Sequence, residues 1–215
     1  VRAAAEIEHR DPGAIMISLH ADHAIAPFEA FRETVDRAAA AAEARGSLVC
    51  IGIPPTRPET GYGYILTGEE RDPGVHAVNR FVEKPDAKTA RAFVADGRHL
   101  WNTGIFVWRA RDLVAAARRW THELSRAFPR LDEGDVEGFF RAAQPVSVDV
   151  GVLERAEGVE VAVASFAWDD VGTWSALART RPRDAGGNAV AGDATVIDGT
   201  DNVVWAEGGR VVLFG

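Results

Sequence analysis

Cysteine is nearly absent from this sequence: Cys50 is the only one in 215 residues. An intramolecular disulfide is thereby excluded, and a chain of this length buries about 70% of its unfolded surface without such staples. The reducing cytoplasm is the expected compartment. No stretch approaches the roughly 18 consecutive apolar residues of a membrane span, and the first residues lack the basic-then-apolar layout of a signal peptide. Basic charge is also short. Lys and Arg number 24 against 32 Asp and Glu, a formal charge of −8. No basic run tracks a phosphate backbone, so neither nucleic acid nor a membrane is an expected partner. There is no P-loop, no G-x-G-x-x-G, no G-x-S-x-G and no H-E-x-x-H, which removes P-loop enzymes, dinucleotide oxidoreductases and α/β-hydrolases from consideration.

What is present reads as a folded domain, with 47% apolar and 26% charged residues. Val1 to Arg10 has the pattern of an amphipathic helix tail without a start signal, so a beginning further upstream is expected. Ala14 to Leu19 reads as a buried parallel strand. Phe28 to Arg45 reads as a helix, entered at Pro27, striped by Phe31, Val35, Ala38, Ala39 and Ala42, and stopped at Gly46. Leu48 to Ile53 reads as a second buried strand. Strand, helix, strand is a βαβ crossover, which predicts an α/β sheet with functional loops at its strand ends. Val75 to Glu83 and Leu100 to Trp108 read as further strands, Ala87 to Asp96 and Ala110 to Trp120 as helices, and Thr121 to Ala143 as irregular helix. A strand is predicted over Val159 to Ala164, with Trp168 to Trp174 as the loop leaving it. From Asn188 the texture changes to short β pieces at Ala194 to Ile197, Val203 to Ala206 and Val211 to Phe214. The expected division is a domain over 1–184 and the start of an all-β tail over 188–215.

Four places carry residues suited to chemistry. Asp22 and the pair Asp169-Asp170 each follow a predicted strand, and carboxylates at two strand ends can converge on a hard divalent cation such as Mg²⁺. A capping or turn role is the common alternative for any one Asp, and Asp169 is the blander member of its pair. The loop Pro54-Pro55-Thr56-Arg57-Pro58-Glu59-Thr60-Gly61-Tyr62-Gly63-Tyr64 is stiffened by three prolines and has glycines where a backbone can approach a ligand. Glu83-Lys84-Pro85 puts an acceptor for sugar hydroxyls beside a lysine able to hold a phosphate; a solvated pair is the alternative. Asn102, in Trp101-Asn102-Thr103-Gly104, offers donors and acceptors to a polyol or serves a turn. Trp101, Trp108, Trp168 and Trp174 are assigned to core or rim packing, and His23 to packing or orientation rather than metal.

Taken in order, Asp22-His23, the loop ending Glu59-Thr60-Gly61-Tyr62-Gly63-Tyr64, Phe81-Val82-Glu83-Lys84-Pro85, Trp101-Asn102-Thr103-Gly104-Ile105-Phe106, Ser147-Val148-Asp149 and Trp168-Asp169-Asp170-Val171-Gly172-Thr173-Trp174 resemble the bacterial mannose-1-phosphate guanylyltransferases, of the sugar nucleotidyltransferase superfamily. The resemblance implies a Rossmann-like domain, a mixed sheet flanked by helices, followed by a β-helix-like tail. It implies transfer of GMP from GTP to mannose 1-phosphate, with Mg²⁺ as cofactor; a homodimer is compatible with it. Asp22 and Asp170 match metal-binding aspartates, Glu83 and Asn102 sugar contacts, Gly61, Tyr62 and their loop the hexose pocket, and Lys84 the phosphate-holding lysine. Asp22, Lys84 and Asp170 form the implied catalytic set, while the role of Asp149 stays open.

The sequence departs from that family in having no Gly-rich loop with Arg and Lys, the segment that cradles the triphosphate. By the family's layout about a third of the catalytic domain lies upstream of Val1, and the 215 residues alone are expected to be inactive. Two other readings stand: a nucleotidyltransferase using glucose 1-phosphate with dTTP, UTP or ATP, and a non-catalytic sugar-nucleotide-binding regulator.

Overall fold

A computed structural model describes all residues, 1–215. In chain order the elements are α1 (Arg2–Arg10), β1 (Ile15–Ser18), β2 (Ala24–Ala26), α2 (Phe28–Arg45), β3 (Leu48–Ile53), β4 (Tyr64–Asp72), β5 (Val75–Val82), α3 (Ala87–Asp96), β6 (His99–Arg109) and α4 (Ala110–Trp120). Then come short helices α5 (Phe128–Asp132) and α6 (Val136–Ala142), a π-helical turn over Asp149–Leu153, β7 (Val159–Val163), β8 (Ala167–Asp169), α7 (Trp174–Thr180), β9 (Ala189–Ala191), β10 (Ala194–Ile197), β11 (Val203–Trp205) and β12 (Val211–Phe214). None of the helices is long and apolar enough to cross a membrane. Contacts divide the chain into two units, residues 1–20 with 27–166, and residues 21–26 with 167–215.

The first unit is a mixed α/β sheet, ordered β1-β6-β3-β7-β5-β4 with a further pairing of β4 to β6. Only β3 and β7 run parallel; the other ladders are antiparallel. β3 and β6 are buried along almost their whole length, as strands covered on both faces must be. The helices end where their sequence says they should. Gly46 closes α2 at φ +68° with its N–H on Ala42 O, while α3 starts on Asp86, whose carboxylate accepts the Thr89 N–H at 2.7 Å. Pro73-Gly74, with Gly74 at φ +75°, is the residue pair a type II turn needs between β4 and β5.

Three expectations for the first unit need correction. The βαβ pair is split: β6 lies between β1 and β3, antiparallel to both, so the crossover skips one strand. β1 is half-buried rather than buried, with Ile17 42% exposed, because it stands at the sheet edge with β6 as its one neighbour. β4 has no counterpart among the expected strands; its second half, Gly68 to Asp72, is polar and its first half adjoins a proline-rich loop, so no strand pattern stands out.

In the second unit β2 pairs antiparallel with β8, and four short strands form two parallel pairs, β9 with β11 and β10 with β12. Trp168 and Asp169 are therefore in a strand where a loop is expected, held by a three-residue partner too short to read from sequence. The β pieces coil in parallel, so 203–214 lies in register on 189–197, as in a β-helix. Asn188, buried, locks the two coils: its Oδ1 accepts from Asn202 N at 2.9 Å and Asn202 Nδ2 at 3.0 Å, and its Nδ2 donates to Gly199 O at 3.1 Å.

Gly52 marks where β3 is squeezed. A Cβ there would lie 2.8 Å from Val161 Cγ2 and 2.9 Å from Leu100 Cδ1, side chains of the strands on either side. Gly52→Ala should therefore destabilise the fold by about 1–3 kcal/mol, read as a lower urea midpoint with unchanged slope; an unchanged midpoint would show that the neighbours give way freely.

Candidate functional site

The sheet register gathers the sequence's candidate residues of the first unit. Trp101 in β6 pairs with Ile53 at the end of β3 on one side and with Tyr64 at the start of β4 on the other, while Tyr64 pairs with Val82 at the end of β5. The loop over 54–63, the corner at Glu83-Lys84 and Asn102 thus leave adjacent strand positions. Contacts tighten the group: Asn102 N donates to Gly63 O at 2.8 Å, and a Cβ on Gly63 would fall 2.6 Å from Glu83 Oε2. A residue larger than glycine there would press on Glu83 Oε2 and, at 3.1 Å, on Phe81 Cζ, so the Glu83 carboxylate would have to move.

Asn102 is 8% exposed and its amide is engaged at both ends, Nδ2 donating to Asp149 Oδ1 at 2.9 Å and Oδ1 accepting from Gly104 N at 3.2 Å. Glu83 is half-buried. Its backbone N–H donates to Glu154 Oε1 at 3.1 Å, and its carboxylate lies 3.6 Å from Lys84 Nζ. Burial pushes the Glu83 carboxyl above its ordinary value of 4.5; the charge of Asp149 adds to the rise and Lys84 offsets part of it. Lys84, one of two lysines in the chain, is mostly exposed and adopts φ +45°, an unusual conformation for a non-glycine residue and more so before Pro85.

The loop itself is braced from within. Glu59 Oε1 accepts the N–H groups of Thr60 at 3.1 Å and Gly61 at 3.2 Å, and Tyr64 Oη donates to Glu59 O at 2.9 Å. Tyr62 meets Trp101 edge-on at 5.3 Å, and the Arg57 guanidinium sits 4.9 Å from the Trp101 ring centre and 3.2 Å from Glu59. The sequence pattern includes Arg57 in the loop without indicating this stacking role, and it misses Glu154 entirely. No sequence signal marks Glu154, whose partner Glu83 is 71 positions away.

In the second unit, Asp22 lies two residues before β2 and Asp170 follows β8 directly. Because these strands are antiparallel, with Ala24 opposite Asp169, both aspartates lie at the same end of the ladder. Asp22 thus precedes a short strand of its own, a strand the sequence pattern does not show. Asp169 and Asp170 divide sharply in role. Asp169 is buried, bound by Arg179 at 2.8 and 3.2 Å, and accepts the Val171 N–H at 3.0 Å. Asp170 makes a longer contact of 3.4 Å to Gly172 N. His23 accepts from Trp168 Nε1 at 3.0 Å and meets its ring edge-on. Trp101 and Trp108 are core residues, whereas Trp174 is 65% exposed. Carboxylates are hard oxygen donors, and two at one end of a ladder are of the kind that suits Mg²⁺ alongside phosphate oxygens.

The Glu83 carboxyl makes a pH prediction. A group whose folded pKa lies above its unfolded value contributes stability that is full below the unfolded value and is lost as pH rises through the folded one. Glu83→Gln should therefore gain stability relative to the unsubstituted chain as pH rises above the ordinary carboxyl value of 4.5. Chemical denaturation across that rise checks it, and a pH-independent difference would be the contrary result.

Comparison with known proteins shows the family. Residues 1–185 match the family model described as Nucleotidyl transferase. The chain is 35% identical over 237 residues to the xanthan biosynthesis protein XanB of Xanthomonas campestris pv. campestris strain B100, covering 99% of this chain and 50% of that protein. It is 38% identical over 218 residues to a mannose-1-phosphate guanylyltransferase of Escherichia coli K12, covering 94% of this chain and 45% of that one. A crystal structure from Thermus thermophilus, described as a mannose-1-phosphate geranyltransferase, superposes with a TM-score of 0.86 at 32% identity, covering 100% of this chain and 63% of that one. The chain spans about half the length of the curated relatives it matches.

Proposed function

We propose, for a chain that belongs to the nucleotidyl transferase family, that it carries the sugar-binding and metal-binding residues of a mannose-1-phosphate guanylyltransferase. The observation that carries this reading is the convergence of Glu83, Asn102 and the Gly61-to-Gly63 backbone, held together by the Asn102 N to Gly63 O bond. Carboxylate, carboxamide and peptide groups are acceptors and donors of the kind a hexose needs on several hydroxyls at once. The names of the relatives supply the particular sugar and nucleotide.

The reaction is an in-line displacement. A phosphate oxygen of mannose 1-phosphate bonds to the α-phosphorus of GTP, the bond from that phosphorus to the β-phosphate bridging oxygen breaks, and pyrophosphate leaves with its electron pair. The attacking oxygen is already anionic at neutral pH, so no general base is required, and catalysis rests on positioning and charge compensation. Glu83 and Asn102 orient the sugar, the rigid loop around Gly61 and Tyr62 walls it, and Lys84 supplies a positive point charge for the sugar phosphate. Asp22 and Asp170 would hold Mg²⁺, which when bound offsets negative charge on the phosphates. Asp169 contributes by anchoring the Asp170 segment through Arg179 rather than by touching ligand. We take the domain boundary to lie between 184 and 188, a reading supported by the start of the short parallel strands at Ala189, although contacts divide the chain earlier, at 166/167. The buried thiol of Cys50, pushed upward in pKa by burial, suits a cytoplasmic protein.

The test is pyrophosphate release by the full product of the gene with Mg²⁺, offering mannose 1-phosphate and glucose 1-phosphate against GTP, ATP, UTP and dTTP. Release with mannose 1-phosphate and GTP is expected; preference for another pair would replace the substrates, and binding without turnover would favour a regulator. Asp170→Ala should lower kcat by at least about 10²-fold, and Asp169→Ala should lower it less while reducing thermal stability. Equal losses of kcat would reverse the assignment of the two aspartates. Lys84→Ala should raise KM for mannose 1-phosphate more than KM for GTP; a defect confined to GTP would contradict its placement.

A further inference from the structure

The π-helical turn over Asp149–Leu153 joins two of the residues assigned to the sugar. Glu154 N–H donates to Asp149 O at 2.9 Å, an i to i+5 closure. In an α-helix, residues five apart diverge by about 140° around the axis. The wider turn brings 149 and 154 closer to one face instead. Each then meets a different strand: Asp149 Oδ1 accepts from Asn102 Nδ2 at 2.9 Å, and Glu154 Oε1 accepts from the Glu83 backbone N–H at 3.1 Å.

Neither contact is needed to close the fold, since Asn102 and Glu83 sit at or beside ladders already paired through β3, β4 and β6. What they hold is orientation. With Gly104 N–H on Oδ1 and Asp149 on Nδ2, the Asn102 amide cannot flip without losing both hydrogen bonds, so the order of donor and acceptor it shows to a hydroxyl is set. At the other end, Glu154 ties down the residue preceding Lys84, whose φ of +45° before a proline persists only where neighbouring contacts impose it.

We propose that Asp149 and Glu154 are positioning residues for the acceptor sugar, and that the π turn between them sets the Asn102 amide and the Glu83-Lys84 corner in register with each other. This rests on the reading of the pocket as a sugar 1-phosphate site. Asp149 and Glu154 act through Asn102 and Glu83.

The experiment uses the full gene product carrying Asp149→Ala, Asp149→Asn, Glu154→Ala or Glu154→Gln. KM for both substrates and kcat are measured with whichever sugar 1-phosphate and nucleotide the unsubstituted enzyme turns over. Exchange of the Asn102 side-chain amide protons is followed by NMR. Asp149→Ala is expected to raise KM for the sugar phosphate about 10-fold or more, to leave KM for the nucleotide within about 2-fold, and to speed exchange of the Asn102 amide. Asp149→Asn, which keeps an acceptor oxygen, should restore both readouts. Glu154→Ala should reproduce the KM split, and Glu154→Gln should relieve it. Should Asp149→Ala not fold, as judged by its thermal transition, the Glu154 pair decides. Equal rises in both KM values, or an Asn102 amide whose exchange is unchanged, overturn the proposal. Turnover of a sugar other than mannose 1-phosphate overturns the functional reading and leaves this proposal to be judged with that sugar; if no sugar is turned over, amide exchange alone decides.

Discussion

Strand β6 is the constraint on which the first unit depends. Its eleven residues pair with β1 and β4 along one edge and with β3 along the other, and the remaining ladders return through β7 and β5 to β4. Removing its register would release each candidate sugar contact in turn. Trp101 aligns the end of β3 with the start of β4, and Asn102, the next residue, draws in the loop at Gly63. The apolar half of β6 serves the same end by a different force. Phe106 and Trp108 stack at 5.2 Å in the main core, where burial fixes which face of this half looks inward and so anchors the strand that carries Asn102.

Electrostatics then sort the carboxylates by role. Glu83 and Asp149 are brought near one another in partly desolvated surroundings, which is unfavourable for two charges and is tolerated because Lys84 and the Asn102 amide lie beside them. Asp169 follows the opposite logic: buried, it is satisfied by a guanidinium and a backbone N–H, the marks of an anchoring residue. Adjacent aspartates of identical chemistry thus separate into one that braces the segment and one offered at the end of a ladder.

Much of this is legible without coordinates. The helices over Phe28–Arg45, Ala87–Asp96 and Ala110–Trp120 have the limits that the sequence predicts, because capping residues and apolar periodicity are local signals. Glu83, Lys84, Asn102 and the glycine loop stand out by residue type and by a family resemblance that the comparisons support. Less visible are β2 and β8, three residues each, and β4, whose polar half carries no alternation. Their existence is decided by partners distant in the chain, and a three-residue segment holds too little pattern to announce a partner.

By itself the sequence determined the local elements, the ionic character of the candidate residues and membership of the nucleotidyl transferase family, since each is written in short-range order or in matched motifs. Only the tertiary structure decided that β6 separates β1 from β3, that Asp169 is held by Arg179, and that a π turn links Asn102 to Glu83 through Asp149 and Glu154. The physical reason is common to all three. Each depends on hydrogen bonds or ion pairs whose geometry exists only once strands and turns far apart in the chain, or angled by the fold, have been brought within about 3 Å of one another.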